Sequence, residues 1–82
     1  MSATGPGDDV VHVDARGTRC PVPVLRLAAA VRGLVPGTTA SVTATDPAVE
    51  HDVPAWAGMR GHQVLEVTCE DDVWRVVVRT GG

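Results

Sequence analysis

The chain is expected to fold as a two-layer α/β domain, a sheet covered on one face by helices, and three observations lead there. Its 82 residues leave room for one hydrophobic core and no second. The apolar share is an ordinary 44%, yet Phe and Tyr are absent and Val dominates with Ala and Leu in support; small and β-branched side chains suit a thin core between two layers. Along the chain, apolar residues recur with the period of a strand in some segments and of a helix in others, in the order β-α-β-α-β-β.

Residues 1–9 are polar and acidic with Gly and Pro, and read as a flexible tail ahead of a single domain over 10–82. Val10-Val11-His12-Val13 is a short strand and Asp14-Ala15-Arg16-Gly17 a loop. Pro21 and Pro23 open a helix, because a proline in the first turn lacks only an N–H that would have had no partner. The helix is expected from Pro21 to about Leu34. Val24, Leu27, Ala28, Val31 and Leu34 then form its buried stripe, Arg26 and Gly33 face water, and Val35-Pro36-Gly37 stops it. Thr38 to Thr45 alternates strictly, with Ala40, Val42 and Ala44 toward the core.

After Asp46-Pro47 we expect an irregular turn to His51, Asp52 near an N-cap, and a helix over Val53 to Arg60 ended by Gly61. Starting this helix earlier would enclose Pro54 at a cost of about 3 kcal/mol. His62 to Cys69 and Val73 to Thr80 are strands of an antiparallel hairpin turning through Glu70-Asp71-Asp72. Leu65, Val67 and Cys69 are taken as one core face and Trp74, Val76 and Val78 as the other, so that Cys69 points inward as a small structural hydrophobe.

Composition narrows the chemistry. The net charge is −3 and every basic residue is Arg. An acidic chain without stacking aromatics is a poor nucleic-acid binder, and the absence of Lys removes Schiff-base and Walker-type phosphate chemistry. Cys20 and Cys69 make no C-x-x-C, and three scattered His show no metal-ligand spacing, so no metal or other cofactor is expected. No apolar run approaches the ~20 residues that span a bilayer, and residues 1–9 do not resemble a signal peptide. A reducing cytoplasm is the expected setting.

What remains is Arg19-Cys20-Pro21-Val22-Pro23. A cysteine at or just before the N-cap meets free backbone N–H groups and the positive end of the helix dipole, an environment expected to depress its pKa and favour the thiolate. A strand–helix–strand unit normally joins parallel strands. The handover at Cys20 and the one at Asp46 to Asp52 then share a sheet end, where open α/β sheets bind ligands. Arg19, Asp46, His51 and Asp52 are thereby brought toward Cys20. Arg19 would hold an anionic sulfur or be a solvated loop residue, Asp46 would be a turn former, and His51 a base or merely exposed. His12 and His62 receive no role.

These residues also carry a resemblance. The run from Val13 through Cys20-Pro21-Val22-Pro23 to Leu25 resembles the Cys-Pro-x-Pro hallmark of the TusA-like (SirA-like) sulfur-carrier proteins. The likeness continues in Val35-Pro36-Gly37, Asp46-Pro47, Asp52-Val53-Pro54-Ala55-Trp56, Gly61 to Glu66 and Trp74-Arg75. It implies a two-layer sandwich with helices on one face of a four-stranded mixed sheet. It also implies a sulfurtransferase or sulfur carrier in which Cys20 is the nucleophile and bears a persulfide. Pro21, Pro23 and Gly17 would shape the helix start, and Arg19 and Arg26 would contact anions or partners.

The implied partners are a protein sulfur donor, a cysteine desulfurase or rhodanese-like protein, and a protein acceptor serving tRNA thiolation, molybdenum-cofactor or other sulfur trafficking. Two departures stand out. Many relatives have basic residues on the first helix where this chain has Ala28-Ala29, and a family-like second cysteine is replaced by Ala57, which removes an obvious resolving thiol. The competing reading is a non-catalytic regulatory or protein-interaction module in which Cys20 senses redox state or caps a helix.

Overall fold

The computed structural model describes residues 10–81; the expected tail over 1–9 lies outside them. The elements are β1 (Val10–Asp14), α1 (Val22–Val31), β2 (Thr39–Ala44), α2 (Val49–Arg60), β3 (Gln63–Glu70) and β4 (Val73–Arg79). The sheet order is β1-β2-β4-β3, with β1 and β2 parallel and the other two pairings antiparallel. This is the expected mixed sheet. The core is the fully buried set Ala40, Val42 and Ala44 of β2 and Val76 and Val78 of β4, closed by Leu27 of α1 and Val49, Val53 and Ala57 of α2. Alternation on β2 therefore reports the core correctly. Its opposite face is less open than alternation alone suggests: Ser41 is 1% exposed, and its hydroxyl shares a 2.7 Å hydrogen bond with Nδ1 of His12.

Both helices differ from expectation at their ends. Periodicity extends α1 to Leu34, but the chain leaves the helix at Arg32 (ψ 125°) and Gly33 takes φ +81°. A left-handed glycine just past the last turn ends a helix, so the stop lies ahead of Val35-Pro36-Gly37. Leu34 reaches the core from outside the helix. The second helix starts at Val49 and encloses Pro54, where an irregular turn and an Asp52 cap were expected. Val49, Val53 and Ala57 form a stripe at i, i+4 and i+8. Pro54 forfeits a single bond near the N-terminal end. Burial of Val49, worth about 1.5–3 kcal/mol, offsets that loss together with the tie between the Asp46 carboxylate and the Ala48 N–H.

The hairpin requires a further correction. Val67 pairs with Val76 and Cys69 with Trp74, so these residues share the expected face. But β3 is an edge strand, and a bulge between Val64 and Glu66 displaces Leu65. In β3 it is Val64 that packs on the core. Leu65 and Val67 are 41% and 38% exposed, and Cys69 is exposed and free. A shared face is not a shared depth, and the core does not extend to Cys69.

The hairpin turns on Asp71 (φ 53°) and Asp72 (φ 63°), the two left-handed positions of a type I′ turn. Glycine suits the second of these far better than aspartate. Asp72→Gly is expected to raise stability by up to about 1 kcal/mol, read as an upward shift in thermal melting. Among the described residues no helix is long and apolar enough to cross a membrane.

Candidate functional site

Because β1 and β2 are parallel, the segments that follow them emerge at the same end of the sheet. The β1 exit is fastened to the β2 exit twice: Ala15 N–H donates to the Thr43 carbonyl at 2.7 Å, and Gly17 N–H, at φ +79°, donates to Thr45 Oγ1 at 3.0 Å. Arg16 forks onto Asp14 at 2.9 and 3.0 Å, which holds the Asp14 carboxyl down at about 2. Arg26 donates from Nη1 to the Asp14 carbonyl at 3.0 Å and so ties α1 to the end of β1. Pro23 is fully buried and anchors the first turn, while Pro21 stands at the N-cap, exposed.

Cys20 therefore lies one residue before the N-cap, as expected, and half-buried rather than exposed at a tip. Its N–H donates to Oδ2 of Asp46 at 2.9 Å, and Oδ1 of the same carboxylate accepts the N–H of Ala48 at 2.9 Å. One carboxylate thus joins the cysteine loop to the start of α2. Those two backbone donors, Ala48 and then Cys20, keep the Asp46 carboxyl below its usual range, with a smaller contribution from Arg19.

The thiol itself reverses an expectation. Burial, then a side-chain hydrogen bond to Asp52 and the charges of Asp52 and Asp46, push it up to about 11. The N-terminus of α1 taken alone favours a thiolate. In the fold, α2 brings a carboxylate to the sulfur, and burial disfavours the thiolate. At neutral pH Cys20 is a protonated thiol beside an acceptor.

Arg19, with Gly17, Thr18, Thr45, Asp46 and Pro47, lines an open cleft of about 470 Å³ next to the cysteine. Asp46 and Asp52 are thus brought to Cys20, and Arg19 lies beside Asp46. His51 is not brought in. Its side chain is 84% exposed, lies 3.6 Å from Glu50, and is not among the groups acting on the thiol, so the structure gives it no place as a base. Sequence reasoning missed Thr45, Ala48 and the exposed pair Val22 and Leu25, which are 36% and 60% accessible on α1, the helix that follows Cys20. Val22 and Leu25 fall off the buried stripe, a signal that was available in the spacing.

Comparisons with known proteins identify similar chains. A protein of Archaeoglobus fulgidus named "Putative sulfur carrier protein" is 36% identical over 70 residues, covering 85% of this chain and 96% of the relative. The "Putative sulfur carrier protein YrkI" of Bacillus subtilis is 36% identical over 69 residues, 84% of this chain and 92% of the relative. The crystal structure of a SirA-like protein from Desulfitobacterium hafniense superposes with a TM-score of 0.76 at 27% identity, covering 88% of this chain and 99% of that one. Residues 11–80, nearly everything the fold comprises, match the family described as Sulfurtransferase TusA. Fold and sequence agree, and the chain belongs to the TusA sulfurtransferase family.

Proposed function

We propose that the protein is a sulfur carrier that accepts a sulfane sulfur on Cys20 and passes it to an acceptor protein. The observation that carries this reading is the position of Cys20. Its backbone N–H is held by Asp46, the Asp52 carboxylate acts on its thiol, and its chain neighbour Arg19 lines an open cleft with Asp46. Persulfide transfer requires a positioned sulfur, a proton acceptor and an approachable surface, and no metal or phosphate loop.

In the loading step Asp52 takes the proton of the Cys20 thiol as the sulfur attacks the outer sulfur of a donor persulfide. A new S–S bond forms to Cys20, the donor S–S bond breaks, and the donor departs as a thiolate. In the unloading step an acceptor thiolate attacks the outer sulfur. Cys20 leaves with the bonding electron pair, and Asp52 returns the proton. Val22 and Leu25 offer a small apolar contact for the protein donor, a desulfurase or rhodanese-like partner, and for the acceptor. Among the described residues no helix is long and apolar enough to cross a membrane, and a cytoplasmic setting fits a carrier whose cargo is labile to oxidation.

Incubation with a persulfide donor followed by intact mass measurement tests the proposal. A gain of one sulfur is expected in the parent chain and in Cys69→Ala, and none in Cys20→Ala. A parent chain that gains no sulfur from any donor, thiosulfate-derived persulfides included, overturns it. It would leave the regulatory reading, under which Cys20→Ser retains partner binding.

A further inference from the structure

A second cleft, of about 330 Å³, lies at the other end of the sheet, between the C-terminal ends of α1 and α2. Both helices start at the cysteine end, and a helix of ten residues is about 15 Å long, so this cleft is remote from Cys20. Its floor is apolar, from Val31, Leu34 and Ala28, and Trp56 walls it. Arg32, Arg60 and His62 supply the polar lining, and no Asp or Glu lines it. In a chain of net charge −3 this is a local concentration of the opposite sign. Neither arginine pairs with a carboxylate among the described residues.

His62 is held in place. Its Nδ1 accepts the Gly81 N–H at 3.0 Å, so in the neutral ring the proton resides on Nε2, a free donor. Its ring lies 4.9 Å from Trp56, tilted by 45°. Gly81 secures this arrangement: a Cβ there would collide with the Gly61 carbonyl, so the strand end can approach His62 only as glycine. Arginines near helix C-termini also complement the helix dipole. Here, however, the chain's own backbone already serves the terminal carbonyls: Gly61 and His62 N–H groups donate to the Ala57 carbonyl, and Leu34 N–H donates to that of Val31. Among the described residues the two guanidinium groups are left with their donors unspent.

Two guanidinium forks and an oriented imidazole N–H match a carboxylate. An indole wall over an aliphatic floor matches a flat apolar body, within the size range of small-molecule clefts. We propose that this cleft binds a small organic anion, a carboxylate borne on a planar apolar group, independently of Cys20.

The test is a two-dimensional NMR titration of the full chain, read at the Trp56 indole N–H with that of Trp74 as internal reference. The probes are benzoate, benzamide and inorganic phosphate. Benzoate is expected to shift Trp56 saturably and to leave Trp74 unmoved. Benzamide has the body without the charge, phosphate the charge without the body, and each is expected to bind at least about tenfold more weakly. Arg32→Gln combined with Arg60→Gln should weaken benzoate by about tenfold or more, with Cys20→Ala leaving it unchanged. Equal binding of benzamide overturns the anion assignment, equal binding of phosphate overturns the apolar one, and no saturable shift of Trp56 overturns both.

Discussion

Asp52→Asn is expected to make Cys20 react about tenfold faster with iodoacetamide at pH 8. The thiol stands at about 11 because burial, Asp52 and Asp46 all oppose the thiolate. Asn keeps the shape of the side chain and removes its charge. Burial, the largest cause, persists, so recovery is partial; a fall of about one unit multiplies the thiolate present at pH 8 by about ten. The measurement is alkylation rate against pH, in a Cys69→Ala background so that one thiol is followed. A midpoint unchanged by Asp52→Asn would remove Asp52 from the mechanism.

The same shift sets the sign of a stability effect. The folded thiol ionises at higher pH than the unfolded one. The contribution is therefore intact below the ordinary thiol range and is lost as pH rises through about 11. Alkaline destabilisation between these limits should be smaller in Cys20→Ala. A thiol held protonated at neutral pH resists indiscriminate oxidation.

The largest effect on stability is expected from Leu27→Ala. Leu27 is the largest fully buried side chain among the described residues, ahead of Val42, Val49, Val53, Val76 and Val78. Its fully buried neighbours in the core are Val and Ala, too small to fill the space. Such truncations cost about 2–5 kcal/mol, and in a domain of this size that lowers the melting temperature by about 10 °C or more. Leu25→Ala, on the 60% exposed face of the same helix, is the matched control and should change melting little. Equal losses at both positions would mean that α1 is not packed as described.

What was legible in the sequence follows from how local each signal is. The stripe of Val24, Leu27 and Val31 and the alternation of Ala40, Val42 and Ala44 state which side of an element is apolar, and the fold uses those sides. The meeting of Cys20 and Asp46, 26 residues apart, was legible because a parallel β-α-β unit places both loops at one sheet end. Three things were not legible, each decided by a distant part of the chain. Pro54 argues locally against a helix, and only the burial of Val49 under the sheet outweighs it. Cys69 has the right face but sits on an edge strand beyond the core, and alternation carries no information about depth. The acidity of Cys20 was judged from the helix it precedes, whereas its pKa is governed by burial and by a carboxylate of the next helix.

The Asp46 carboxylate, fastened at one oxygen to residue 20 and at the other to residue 48, has a mechanical consequence. The cysteine shares its seat with the second helix. Its backbone is hung from the entry of a helix that belongs to the other half of the chain, so a load that lifts the first turn of α2 is transmitted to the sulfur without touching it. Loss of that carboxylate, as in Asp46→Ala, would therefore loosen the cysteine loop and the entry of α2 together.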